Sequence, residues 1–571
     1  MIFSSILEPP LRITASARPT ATSVSRPGRT GWLTNALLAL WLTLAGNLPL
    51  WQKLLAAGGT GATGAWLMFS LAAMVAGLIF AVLSLASWPG IHAPVASFLV
   101  LAAAANTHFM RTYGVVIDAS MMANVMHTDA REVRDLLSLP LLLTLLLVAG
   151  PALWWIWGRP MPRQRLWPQL LRNAGAVALG LMVALACGIA GYQGLASLMR
   201  NHKTVRYMIS PLNTVWGAGL LAAQSLPGKA RASEPLGQDA RLGASYAGQV
   251  RPLLLVLVIG ETARAENWGL NGYARPTTPV LEQWQQQHGL VNFPDVRSCG
   301  TNTQVSVPCI FSPLGREAGG DRPGTNENLL DVLQRAGLAV MWLDNQSGCK
   351  GVCDRVPHAS TRDLQLPGLC EGGECFDEAM LHGLDERIAS LDAGRRQQGV
   401  VLVMHQMGSH GPAYHRRTPA AQKRFLPECS SNALPDCTPE QLRNAYDNTI
   451  AYTDHFLGRT LQWLQAQADE GAYDTGLLYV SDHGESLGEK GLYLHGLPYA
   501  FAPDQQTRVP MATWLSPGLQ QRAGLDTGCL RARAAGPVSH DHVFHSVLGL
   551  LDIRTAARQA ALDLYAPCRS G

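Results

Sequence analysis

Hydrophobic residues in the first third of the chain are gathered into runs marked by the absence of charge. Asp, Glu, Lys and Arg are missing between Arg29 and Lys53, between Lys53 and Arg111, between Asp135 and Arg159, and between Arg172 and Arg200. A charge at the centre of a membrane helix costs about 2.5–3.5 kcal/mol on insertion scales, so a bilayer selects gaps of this kind. A span needs ~20 apolar residues, and the runs predict five, at about 32–51, 64–87, 91–109, 137–157 and 173–195.

From about residue 250 the pattern changes. Short apolar runs, PLLLVLVIGE, LAVMWLDN, VVLVMHQMG and GLLYVSDHG, alternate with longer mixed segments. Such runs, bounded by turn residues with helical segments between, predict parallel strands covered on both faces and an α/β fold. The expected organisation is a five-helix transmembrane domain over residues 1–195, an interfacial helix and Gly/Ala/Pro/Ser-rich linker over 196–245, and an α/β domain over 246–571.

Charge and cysteine placement set the orientation. Arg12, Arg18, Arg26 and Arg29 precede the first span, and Arg159, Arg163, Arg165 and Arg172 separate the fourth from the fifth. With both basic segments inside, an odd number of spans sends the α/β domain out. The polar, proline-bearing first thirty residues are not expected to act as a cleavable signal peptide. Of 11 cysteines, Cys187 lies alone in an apolar run and the rest fall between Cys299 and Cys568. Cys299/Cys309, Cys349/Cys353, Cys370/Cys375 and Cys429/Cys437 are close pairs, with Cys529 and Cys568 as a candidate fifth. None has the CxxC spacing of a zinc ribbon, so disulfides and an oxidising compartment are expected. The net charge of only +4 gives no strong general attraction to nucleic acid.

Each apolar strand ends in polar residues: Glu261 and Thr262, Asp344 and Asn345, then His405, Ser409 and His410, then Asp482, His483 and Glu485. Open α/β sheets bind ligands beyond the carboxyl ends of their strands. Glu261, Asp482 and His483 offer two carboxylates and an imidazole, a donor set that suits zinc, with manganese second. Three protein ligands leave a position open, as in catalytic zinc sites. The loop RSCGTNTQVSVPCIFSPLG carries Thr301, Thr303 and Ser306 between Cys299 and Cys309, and any of the three hydroxyls is a candidate fourth ligand and nucleophile. A helix opening at Thr303 would point free N–H groups at phosphate oxygens.

The motifs VIGETARAENWGLNGYARPTTP, CGTNTQVSVPC, NQSGCKGVCDR, GSHGP and YVSDHGESLGEKGLYLHG resemble those of the membrane phosphoethanolamine transferases, most closely the lipid A type that includes the colistin-resistance enzymes. The resemblance spans nearly the whole chain. It implies an alkaline-phosphatase/sulfatase-like catalytic domain in the periplasm, anchored in the bacterial inner membrane. It also implies a two-step transfer, in which phosphatidylethanolamine donates its headgroup to a threonine and a phosphate of lipid A then takes it. By the CGTxT pattern the nucleophile is Thr303, and the Zn2+ ligands are Glu261, Thr303, Asp482 and His483. Lys350, His410 and His495 match donor-phosphate or second-zinc positions. Asn124, Thr128 and Glu132, spaced four apart, match residues lining the lipid access path. Gln304 departs from the small residue usual after the nucleophile. Transferases acting on core sugars or periplasmic glucans, and related hydrolases, share the fold, and a monomer is expected.

A staple around the threonine loop preorganises its hydroxyl. Cys299→Ser, or a reductant, is therefore expected to lower activity; full activity with metal retained would remove the staple from the mechanism.

Overall fold

The computed structural model describes residues 31–56, 62–116, 119–126, 130–158, 165–201, 203–224, 235–319, 327–371 and 373–569. Five helices in it are long and apolar enough to cross a bilayer: Gly31–Ala56, Thr63–Leu85, His92–Tyr113, Leu139–Trp157 and Leu166–Ala190. The fifth starts and ends earlier than its charge-free gap suggested. Arg172 lies within its first turns, where a long side chain carries its charge toward the headgroups, and Gly191 caps its C-terminus.

Lipid supplies no hydrophobic drive between helices, so membrane helices pack through small residues and polar contacts. The second and fifth spans cross at Gly77 and Gly180, where a β-carbon on either would stand 2.6 Å from the other's carbonyl oxygen. Asn35 donates to Ser87 Oγ at 2.7 Å. Asn47 exchanges hydrogen bonds with the backbone of Ser210, at 2.6 and 2.8 Å. Where one interfacial helix was expected over 196–245, the described residues carry two, Tyr192–Asn201, which begins within the expected fifth span, and Leu212–Gln224, with a turn at Lys203–Tyr207 between them.

The C-terminal domain is built on eight strands, which we number in chain order: β1 (Leu253–Gly260), β2 (Val291–Arg297), β3 (Ala339–Asp344), β4 (His358–Ser360), β5 (Gly399–His405), β6 (Asp474–Ser481), β7 (Arg508–Leu515) and β8 (Val538–Ser539). They lie in the order β8-β2-β7-β6-β1-β5-β3-β4. The four strands legible as apolar runs, β1, β3, β5 and β6, form the parallel centre. β7, which the apolar runs did not mark, runs antiparallel to both β6 and β2. Every residue of β1 is buried, because hydrophobic clusters cover both faces of the sheet. That double cover removes the polar alternation and makes these strands continuous in sequence.

All five cysteine pairs are disulfides, including Cys529–Cys568, and Cys187 is free. The long helix Pro439–Asp469 opens with a capping box between Thr438 and Gln441 and lies against the sheet. From its middle, Asp454 accepts the backbone N–H groups of Val280 and Leu281, holding the first turn of the helix Pro279–Gln287.

Burial pushes the Asp454 carboxyl up to about 7. Because the folded value exceeds the unfolded one, its contribution to stability is full below the unfolded pKa and is lost as pH rises towards and through about 7. Asp454→Asn is expected to remove a decline on the order of a few kcal/mol between acidic and neutral pH. Denaturant midpoints for both proteins across that range check this; parallel curves would refute it.

Candidate functional site

Four segments deliver polar groups to one edge of the sheet. Glu261 and Thr262 follow β1, and Thr262 is held at a positive φ of 60°, a conformation that persists only where its surroundings impose it. The Thr262 N–H donates to Asp482 Oδ1 at 3.1 Å, and its hydroxyl to Glu261 Oε1 at 2.5 Å. Asp482 and His483 follow β6, beyond the strict alternation of the strand, and both side chains turn to Glu261. Thr303 opens the helix Thr303–Ile310, capped by the Asn302 side chain on the Val305 N–H.

These groups form one cluster, with ligand atoms of Glu261, Asp482 and His483 all within 4.8 Å of one another. His483 Nε2 lies 3.4 Å from Glu261 Oε1 and 3.3 Å from Asp482 Oδ2. Thr303 Oγ1 stands 3.2 Å from Glu261 Oε2 and 3.4 Å from His483 Nε2. All four residues are buried, none more than 3% exposed. The three hydroxyls of the stapled loop are now distinguished: Thr301 donates to the Leu497 carbonyl, Ser306 accepts from the Gly300 N–H, and Thr303 faces the carboxylates.

The cluster fits a divalent cation. Tetrahedral ligands about 2.0–2.1 Å from zinc stand about 3.3 Å apart, the separation seen here. Asp482 Oδ1 accepts from Thr262 and His483 N–H groups, while Oδ2, buried and without a hydrogen-bond partner, points at the imidazole. His483 Nδ1 donates to the Gly484 carbonyl at 2.9 Å, which leaves Nε2 facing the two carboxylates, where its lone pair could bind a cation set between them. Burial alone would lower the His483 pKa, but the charges of Asp482 and Glu261 outweigh it and push it up to about 10. Burial and the neighbouring Glu261 charge push Asp482 up. Burial also opposes ionisation of Glu261, but the His483 hydrogen bond and charge hold its carboxyl low. Convergent acceptors of this kind require a shared proton or a cation.

Further histidines ring the cluster. His405 lies 3.9 Å from Glu261 through Nε2 and 3.1 Å from Asp344 through Nδ1; the Trp342 indole N–H also donates to Asp344. His495 sits with its ring 4.3 Å from that of His483 and Nδ1 2.7 Å from Glu485. The His410 ring meets His495 edge-on at 5.6 Å. Burial pushes Glu485 up to about 8, and the Tyr414 hydroxyl donates to it.

Other expected residues lie differently. Lys350, at a φ of 51°, turns its ammonium to Ser347 Oγ at 2.7 Å, within the turn stapled by Cys349–Cys353. Asn124 sits on the helix Ala119–Met126, which packs against the Thr303 helix, and Glu132 on the helix Ala130–Leu136. Thr128 lies outside the described residues.

Comparisons with known proteins identify the family and the fold. Residues 254–553 match the Sulfatase family, and residues 75–226 match the family described as phosphoethanolamine transferase EptA/EptB. Phosphoethanolamine transferase EptA of Escherichia coli (strain K12) is 40% identical over 548 residues, 94% of this chain and 96% of that protein. The chain belongs to the EptA-type phosphoethanolamine transferases. The transferase is also 34% identical to phosphatidylethanolamine transferase Mcr-1 of Escherichia coli, over 91% of this chain and 94% of the relative. Its fold matches the integral membrane protein lipooligosaccharide phosphoethanolamine transferase A (EptA) from Neisseria meningitidis with a TM-score of 0.85 and 35% identity, over 95% of this chain and 99% of that one. The enzyme is thus a multi-pass membrane protein with its disulfide-rich catalytic domain in the periplasm.

Sequence reading missed the supports of the cluster. The Tyr446 hydroxyl donates to the Thr262 carbonyl and accepts the Arg264 N–H. His540 accepts the Cys299 N–H through Nδ1 and lies 2.9 Å from the Ser481 carbonyl through Nε2, tying the stapled loop to the end of β6. Neither residue stands in a motif; only their distant partners give them a role.

Purified transferase is expected to lose thermal stability on chelation by EDTA, and Asp482→Asn to abolish that response along with the metal content read by mass spectrometry. An unchanged response in the variant would remove Asp482 from the ligand set.

Proposed function

We propose that this transferase moves phosphoethanolamine from phosphatidylethanolamine to a phosphate of lipid A through a covalent phospho-threonine at Thr303. The observation that carries the reading is the single hydroxyl, Thr303 Oγ1, set 3.2–3.4 Å from a carboxylate and an imidazole at the N-terminus of a helix. Support for the donor comes from the likeness to a phosphatidylethanolamine transferase, and for a glycolipid acceptor from the likeness to a lipooligosaccharide transferase. Glu261, Asp482, His483 and Thr303 would hold zinc, which supplies Lewis acidity to the hydroxyl and offsets charge on the phosphoryl oxygens.

In the first step Thr303 Oγ1 passes its proton to the Glu261 carboxylate 3.2 Å away and attacks phosphorus in line. Its O–P bond forms as the bond from phosphorus to the glycerol oxygen breaks, releasing diacylglycerol. His495, paired with Glu485, or His410 beside it hands a proton to the departing oxygen. In the second step a lipid A phosphate oxygen attacks the same phosphorus, the O–P bond to Thr303 breaks, and Thr303 takes a proton back from Glu261 to leave as the alcohol. Lys350, released from Ser347, adds positive charge to the donor phosphate, and Asn124, Thr128 and Glu132 are assigned to lipid access by the family motif alone. Residues 1–195 anchor the enzyme, 196–245 lie at the interface and link, and 246–571 catalyse. Anchoring holds the catalyst where both lipids are, which raises their effective concentration. We take the enzyme to act as a monomer, and the added ammonium to lower the negative charge of the outer membrane and give polymyxin and colistin resistance.

The test is the mass spectrum of lipid A from Gram-negative cells expressing the chain or its Thr303→Ala variant. Phosphoethanolamine on lipid A with the unmutated chain alone is the expected result. Modification by both would eliminate Thr303 as the nucleophile. Absence from both, with free phosphoethanolamine released by the unmutated protein, would indicate hydrolysis.

A further inference from the structure

One buried carboxylate ties the membrane domain to the catalytic domain. Asp135, 3% exposed, lies on the helix Ala130–Leu136 between the third and fourth spans. Its Oδ1 accepts from Arg416 at 2.6 Å and its Oδ2 from Arg417 at 2.7 Å, both arginines belonging to the catalytic domain. Glu374, on the hairpin closed by Cys370–Cys375, lies 2.9 Å from Arg416 and 3.5 Å from Arg417. Arg417 is 6% exposed, and its Nε donates to the carbonyl of His410 at 3.0 Å. A charge buried this deeply persists only when paired, and loss of one partner leaves the others stranded.

Two neighbouring contacts share the joint. The Asn432 amide donates to the Asp135 carbonyl at 2.7 Å, and the Asn432 carbonyl accepts from the Tyr113 hydroxyl at 3.2 Å. Asn432 lies in the loop closed by Cys429–Cys437, so the staple presents a rigid socket to the membrane domain. Tyr113 packs in the same buried cluster as Leu434 of that loop. On the other side of the site, Met121 lies over Gly496, where a β-carbon would come within 2.1 Å of its terminal methyl. Gly496 follows His495. The membrane-side segment therefore meets the catalytic domain beside His495 at one end and behind His410 at the other.

We propose that Asp135 is a positioning residue that seats the catalytic domain against the membrane domain, so that a lipid headgroup still held in the bilayer reaches Thr303. Asp135 touches neither the nucleophile nor the metal ligands. The Thr303 cluster is supported from within its own domain by Thr262, Tyr446 and His540, and the bond from Arg417 to the His410 carbonyl is also internal to that domain. Loss of the Asp135 carboxylate therefore unseats the domain without dismantling the cluster. The inference rests on the reading that the donor is a membrane lipid.

The experiment compares the full chain with Asp135→Asn in proteoliposomes containing phosphatidylethanolamine, and on a water-soluble aryl diester of phosphoethanolamine. Transfer from the lipid is expected to fall about tenfold or more, as for a buried pair that has lost one partner, while cleavage of the soluble diester stays within about twofold. Amide hydrogen exchange across residues 429–437 is expected to quicken about tenfold in the variant, and this readout needs no substrate. Equal losses on both donors, or no loss on either together with unchanged exchange, would overturn the proposal. An unmutated chain that cleaves only the soluble diester would instead refute the lipid-donor reading, and the exchange measurement would then decide the seat by itself.

Discussion

Two carboxylates that face one imidazole in a closed interior cannot all keep their preferred charge states. Glu261, Asp482 and His483 are placed in this way, and much of the catalytic domain holds them there. The parallel centre of the sheet sets β1 beside β6, which brings Glu261 next to Asp482. Thr262 accepts an unusual backbone conformation to donate its N–H to Asp482. His483 is oriented from behind by the Gly484 carbonyl. Like charges a few ångströms apart in a low dielectric are costly unless a cation or proton lies between them. A cation between these groups would relieve that frustration, and the hydroxyl of Thr303 stands at the remaining corner.

The disulfides have separate tasks around that centre. Cys299–Cys309 fixes the loop that carries Thr303, with His540 bracing its first residue against the end of β6. Cys349–Cys353 closes the turn of Lys350, and Cys429–Cys437 shapes the loop that receives Tyr113 and the backbone of Asp135. A short staple narrows the conformations of a loop that has too few apolar residues to form a core. A catalytic domain that docks on a membrane domain through such loops depends on that rigidity to keep its site in place at the membrane face.

The membrane half follows other rules. The five spans are held by close backbone approach at Gly77 and Gly180 and by Asn, Ser and Thr contacts, since burial of apolar surface gives no gain in lipid. The third span continues past the charge-free run to Tyr113, whose hydroxyl reaches the catalytic domain. The end of the span is therefore set by the partner it meets as well as by the bilayer.

Much of this was legible before folding. Charge-free runs fixed the number of spans because hydrocarbon excludes charge, and continuous apolar runs marked β1, β3, β5 and β6 because a sheet covered on both faces loses its alternation. The polar residues ending those strands marked the site edge, and the spacing of eight cysteines marked four disulfides, while the fifth, Cys529–Cys568, joins residues 39 apart that only the fold brings together. What tertiary structure alone decided is which groups share a point in space. Thr301, Thr303 and Ser306 are equivalent hydroxyls in the chain, and only the folded loop gives the first to Leu497, the last to Gly300 and the middle one to the cluster. The antiparallel β7, the bracing by His540 and the pairing of Asp135 with Arg416 and Arg417 left no local pattern, because each depends on a partner more than two hundred residues away or on packing across the sheet. Local periodicity reports the solvent a segment meets; catalytic geometry depends on distances between segments, which only the closed fold sets.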